Sequence, residues 1–108
     1  MKPIEFCGCS LEAIRAFPTH VKREAGHQLH RVQRGLEPLD WKPFASLGTG
    51  LKEIRLHDNG QYRVIYLAAF KNSVVVLHAF QKKSQKTAKK DVKAVQRALK
   101  ELISRSTS

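Results

Sequence analysis

Leu51–His57 (LKEIRLH), Asp58–Gln61 (DNGQ), Tyr62–Ala69 (YRVIYLAA) and Ser73–Gln81 (SVVVLHAFQ) decide the fold of this chain. In the first run Ile54 and Leu56 face one way and Glu53, Arg55 and His57 the other. That alternation is the period of a half-buried strand. Asp58-Asn59-Gly60-Gln61 reads as a hairpin turn, because Asn and Gly accept the positive φ a tight turn requires. The second run is rich in β-branched and aromatic residues, which suit a pleated surface. Lys71-Asn72 makes a second turn. The third run is apolar on both faces for most of its length, which predicts an inner strand covered by helices.

Upstream, Pro3–Cys7 reads as a short strand. Ser10 is placed to cap a brief helix carrying Leu11, Ile14 and Phe17 on one face, and Pro18 ends it. Thr19 is placed to cap a second helix, whose stripe is Val21, Ala25, Leu29, Val32 and Leu36 at gaps of four, four, three and four. Gly35 and Pro38 stop it. Residues 37–50 are a loop by composition, with Trp41 and Phe44 as its anchors. Downstream, Thr87 is placed to cap a last helix. Val92, Val95, Leu99 and Leu102 form its apolar stripe, with Lys93, Arg97 and Lys100 opposite. The order β-α-α-β-β-β-α does not alternate regularly. It predicts an α+β fold: a mostly antiparallel sheet with an N-terminal helical hairpin and a C-terminal helix. The 108 residues suit a single domain over 1–108, with 104–108 as a frayed tail.

Composition narrows the function. With 42% hydrophobic and 27% charged residues, wholesale disorder is excluded. The longest apolar run, Ser73–Phe80, falls far short of the ~18–20 residues of a membrane span. MKPIEFCGCS lacks a signal-peptide core, so the expectation is a soluble, cytoplasmic protein with no membrane partner. Cys7 and Cys9 form a Cys-x-Cys, one residue short of a redox or zinc Cys-x-x-Cys, and read as two reduced cysteines. Charge carries more. Twenty Lys and Arg against nine Asp and Glu give +11, with a pI near 10.1. Residues 82–105 hold nine basic side chains against Asp91 and Glu101, a net +7. Such a surface captures polyanions.

Two constellations carry chemistry. Lys86, Lys89 and Lys90 stand before or inside the first turn of the last helix, where the dipole favours acids over cations. A phosphate bound there resolves that conflict. A solvated charge run is the plainer alternative. Arg55 and Arg63 lie on strands joined by the Asp58–Gln61 turn, so they come near each other across the ladder. A bulge near the turn would decide whether they share a face. Two guanidiniums suit a phosphodiester, which Arg grips in bidentate fashion; alternatively each pairs with Glu53 or Asp58. Arg63 is expected to keep its head in solvent, with truncation costing about 1 kcal/mol or less. His20, His27 and His30 read as a solvated helix face. His57 and His78 lie near the strand cluster, either as general acid or base or as partly buried histidines bonded to backbone. A Gly-rich nucleotide loop, paired-carboxylate site and zinc-finger spacing are all missing. The expectation is chemistry on Arg, Lys, His or Tyr, with no cofactor and no metal.

Three stretches resemble the phage-derived HigB-like toxins of the RelE/ParE superfamily. They are residues 48–57 (Gly-x-Gly-Leu-Lys-Glu-Ile-Arg-Leu-His), Tyr-Arg-Val-Ile-Tyr at 62–66, and Leu-His-Ala-Phe-Gln-Lys-Lys-Ser-Gln-Lys-Thr at 77–87, the last being the most specific. One departure is Ala88, where many relatives carry Pro. The resemblance implies a small basic endoribonuclease of a type II toxin–antitoxin system that cuts mRNA on the ribosome. The RNA 2′-OH attacks the adjacent phosphate and leaves a 2′,3′-cyclic phosphate, without metal. The implied partners are a helix-turn-helix, HigA-like antitoxin, mRNA and the ribosome. Carried onto this chain, Arg63 contacts the scissile phosphate, and Arg55, Lys82 and Lys86 supply further cations. The general base is left open: a lysine, His57 or none. Lys83, Gln85, Lys89 and Lys90 then bind RNA. The rival readings are a ParE-like toxin that binds DNA gyrase and cuts nothing, and a non-catalytic basic nucleic-acid-binding module.

Overall fold

The alternating run becomes a strand, β3, over Leu51–His57. It pairs antiparallel with β4, Gln61–Phe70, around the loop Asp58–Gly60. Asn59 takes the positive φ, +53°, that this loop requires. β4 in turn pairs antiparallel with β5, Ser73–Lys82, with a bulge between the Ile65–His78 and Tyr66–Val76 pairs. The computed structural model describes residues 1–44, 47, 50–70 and 72–107, and their side chains except at 69, 70, 106 and 107. Lys71 of the second turn lies outside them; Asn72 has φ +63°. The strand β1, Ile4–Phe6, runs parallel to β5, and the sheet order is β1-β5-β4-β3-β2. β5, apolar on both faces for most of its length, is thus an inner strand.

Strand β2, Trp41–Pro43, lies inside the segment expected as loop. Three residues carry no readable period; they become a strand only by pairing with Lys52–Ile54 of β3. Of the two expected anchors, Phe44 is buried, while Trp41 is half-buried with the Lys52 ammonium 4.5 Å above its ring.

The helices are α1, Ser10–Arg15, α2, Thr19–Gln33, and α3, Lys89–Thr107. Neither expected N-terminal cap forms: Cys9 and Pro18 hold those positions. The Ser10 hydroxyl is buried and donates to the Val76 carbonyl, so it ties α1 to the sheet instead. α2 ends before Leu36. Gly35 N–H bonds Val32 O and Leu36 N–H bonds Arg31 O, a Schellman closure with Gly35 at φ +84°. Leu36 is therefore exposed rather than part of the buried stripe. α3 starts after Ala88 instead of at a Thr87 cap, and it runs to Thr107, inside the stretch expected as a tail, whose last residue, 108, lies outside the described residues.

Core residues cover both sheet faces. Val21, Ala25, Leu29 and Val32 of α2 and Ile14 of α1 pack with Ile54, Leu56, Tyr62, Val64 and Tyr66. On the other face Val95, Ala98 and Leu102 of α3 pack with Leu51, Ile65, Val75, Leu77, Phe80 and Phe44. α3 covers only part of that second face. Glu53 and Arg63 lie on that same face, and both are buried.

Candidate functional site

Directly opposed residues of an antiparallel pair share a face, so the register groups the site residues. Arg55 lies opposite Arg63, and Arg63 opposite Phe80. One step toward the turn, His57, Gln61 and Lys82 form the next row. One step back stand Glu53, Ile65 and His78, with Lys42 of β2 beside Glu53. No bulge interrupts the Arg55–Arg63 pair, so the two guanidiniums do share a face.

Arg63 is not a surface arginine. It is 6% exposed and Glu53 only 1%. Its Nε donates to Glu53 Oε2 at 3.0 Å and its Nη1 to the Tyr62 carbonyl at 2.9 Å. The expected cost of truncation, about 1 kcal/mol, is therefore too low. Removing one partner of a buried ion pair strands the other and costs ~3–5 kcal/mol. Nη2 of Arg63 carries no hydrogen bond among the described residues. The side chain still lines an open cleft with Gln61, Lys82, Lys83, Ser84 and Gln85. Glu53 thus fixes Arg63 from behind and leaves one edge of the guanidinium for a ligand. Lys42 Nζ lies 3.8 Å from the same Glu53 oxygen.

Arg55 pairs with Asp40, not with Glu53 or Asp58. Its Nη2 is 2.8 Å and its Nε 2.9 Å from Asp40 Oδ1. His57 is exposed, with Nε2 3.4 Å from Asp40 Oδ2. Burial pushes the Asp40 carboxyl up, but the hydrogen bonds and charges of Arg55 and His57 outweigh it and hold the group below its ordinary value. Arg55 and His57 therefore lean toward the β2 edge and line a different cleft, with Asp40, His20 and Glu24.

Lys82, next to the paired Arg63, has no anionic partner within 4 Å among the described residues. Burial lowers its pKa, as do the charges of Lys42, Arg63 and Arg55, while Glu53 opposes them. A lysine that gives up its proton more readily can accept one from a hydroxyl.

Lys83, Lys86 and Lys90 line a small cleft with Lys82, Phe80 and Asp91. Lys86 stands in the turn before α3, where its carbonyl accepts from the Ser84 hydroxyl at 2.8 Å. Lys89 and Gln85 are exposed. The lysines are not alone at this helix end. Asp91 supplies the acid that the first turn favours, and its carboxylate lies 2.9 Å from His78 Nε2. His78 is thus held by a carboxylate rather than by backbone, and it stacks on Phe80 at 5.3 Å. Sequence reasoning missed Lys42, Asp40 and Asp91. Only Asp91 left a signal, as an acid in the first turn of the helix.

A family model described as phage-derived protein Gp49-like matches residues 12–100. The chain belongs to the phage-derived Gp49-like family. No curated protein matches it. Its fold is similar to that of the E. coli RelE toxin in isolation, with a TM-score of 0.61 and 18% identity over 90% of this chain and 98% of that one. The α+β, mostly antiparallel architecture is therefore that of a RelE-like fold.

Proposed function

We propose that this Gp49-like protein is the toxin of a type II toxin–antitoxin pair, of the HigB-like kind, and an endoribonuclease that cuts mRNA on the ribosome. The observation that carries this reading is the row of cations on one sheet face: Arg63 held by Glu53, Lys82 unpaired beside it, and Lys83 and Lys86 on the adjoining rim. Phosphodiester cleavage builds negative charge on the phosphoryl oxygens. Preorganised cations stabilise it.

In this reading the free edge of Arg63 binds a non-bridging oxygen of the scissile phosphate. Neutral Lys82 accepts the 2′-OH proton as that oxygen attacks phosphorus. The bond to the 5′-oxygen breaks, leaving a 2′,3′-cyclic phosphate and a 5′-hydroxyl. A proton must reach that leaving oxygen, and Lys86 is the nearby donor on the cleft rim. Arg55, Lys83, Gln85, Lys89 and Lys90 bind flanking phosphates. The partner is a helix-turn-helix antitoxin of the HigA type, acting in the cytoplasm.

The test is induction in a bacterial host with primer-extension mapping of mRNA ends. Growth arrest with new mRNA ends, lost in the Lys82→Ala variant, is the expected result. Arrest of replication with intact mRNA would overturn the nuclease reading in favour of a gyrase-directed toxin.

A further inference from the structure

The Glu53 carboxylate meets two cations at one oxygen. Arg63 Nε donates to Oε2 at 3.0 Å, and Lys42 Nζ lies 3.8 Å from the same atom. Lys82 is the third cation of the group. Burial lowers its pKa most, and the Lys42 ammonium next. Three cations against one carboxylate leave the cluster two charges positive.

Lys42 reaches this face because β2 pairs with β3. Its partner across the ladder is Glu53, whereas that of Trp41 is Ile54. Ile54 packs toward α2, so the pleat sends Lys42 to the other face, with Glu53, Arg63 and Lys82. Half-buried Trp41 and buried Phe44, whose N–H bonds the Leu51 carbonyl, hold the backbone on either side. The Lys42 side chain is 45% exposed. An ordinary ion pair does not account for its place. A separation of 3.8 Å is beyond hydrogen-bond distance, and a pair with one partner this exposed contributes little to stability. Glu53 is already bonded by Arg63, so the buried carboxylate does not depend on Lys42.

We propose that Lys42 is a further RNA-binding residue of this face, and that it grips the phosphate next to the scissile one. The inference rests on the nuclease reading above. The strand order β5-β4-β3-β2 puts Lys82, Arg63 and Lys42 on three strands, with Arg63 between the other two. Neighbouring strands lie ~4.8 Å apart, so the sheet spans about 14 Å from β5 to β2. That is wider than one phosphate group and suits two in succession. Arg63 and Lys82 serve the reacting phosphate, which leaves Lys42 for its neighbour. Two diester charges also balance the two in excess.

The test is binding of the full chain to a 2′-O-methylated single-stranded RNA, which cannot be cut through its 2′-oxygen, over a range of salt. Lys42→Ala should lose about 0.7 from the log–log slope, the share of one phosphate contact on a single strand. Lys42→Arg keeps the charge and should keep the slope. Lys22, exposed on α2 at the other side of the sheet, is the control. Lys22→Ala removes the same charge and should leave the slope as in wild type. The urea midpoint of Lys42→Ala should match that of wild type, since Glu53 keeps Arg63. A wild-type slope in Lys42→Ala would overturn the proposal. So would an equal loss in Lys22→Ala, which would mean that RNA reads only the net charge. A wild-type chain that does not bind the probe would overturn the nuclease reading as well, whereas a bound probe with an unmoved Lys42→Ala slope removes Lys42 alone.

Discussion

Lys82 and Arg63 stand side by side on one sheet face, yet they answer differently to substitution. Burial and the neighbouring cations lower the Lys82 pKa, so its neutral fraction at any pH exceeds that of an ordinary lysine near 10.4. If neutral Lys82 takes the 2′-OH proton, single-turnover cleavage of RNA should rise with pH and level off below that ordinary value. Lys82→Arg keeps the charge but cannot deprotonate, so it should cost roughly 10²–10⁴ in rate. Wild-type rates in Lys82→Arg would leave Lys82 only a charge to contribute. Arg63 is different because Glu53 is buried with it. Arg63→Ala should lower stability by ~3–5 kcal/mol in thermal or urea unfolding. The double variant Arg63→Ala/Glu53→Gln, which removes the stranded charge, should regain much of that stability and still fail to cleave. A double variant as active as wild type would remove Arg63 from the site.

The helices are secured by packing and by backbone geometry in separable ways. Val95 is fully buried against the sheet, so Val95→Ala should cost ~1–3 kcal/mol through core loss. It should leave the cleavage pattern of the folded fraction unchanged. Gly35 closes α2 at φ +84°, and a Cβ added there would meet no atom within 4 Å. Gly35→Ala therefore tests conformation alone, and urea unfolding should show a loss of about 1 kcal/mol. No loss would mean that the backbone relaxes out of the left-handed region. The elements with a sustained period were legible in the sequence, namely β3, α2 and α3. Strand β2 was not, because its three residues acquire their conformation from β3. The caps at Ser10 and Thr19 were misread for a related reason. A hydroxyl near a helix start suits a cap or a tertiary bond equally well, and for Ser10 the Val76 carbonyl won.

The net +11 should govern every encounter of this protein with nucleic acid. Its affinity for RNA should fall steeply between low and physiological salt, with a log–log slope of several units. A flat salt response would show that apolar or base-specific contacts dominate. The antitoxin proposed as partner can inhibit by covering the Lys82–Lys90 rim, by distorting α3, or at a distance from both. Co-expression with the adjacent gene product and pull-down should give a stable complex, and its absence at micromolar concentration would count against the toxin reading.

Period and charge are properties of neighbours along the chain, so one pass over the residues delivers the sheet meander, both long helices and the lysine-rich segment. The resemblance at 62–66 and 77–87 likewise directed attention to Arg63 and Lys82. Partnership is a property of neighbours in space. Arg63 and Glu53 are ten residues apart, Arg55 and Asp40 fifteen, and His78 and Asp91 thirteen. No local pattern announces which of several carboxylates each cation meets. Register put Glu53 behind Arg63, strand β2 brought Asp40 to Arg55, and the docking of α3 set Asp91 against His78. These contacts separate the cations held by a carboxylate from Lys82, because burial and the low dielectric it brings belong to the packed sheet and not to any residue alone.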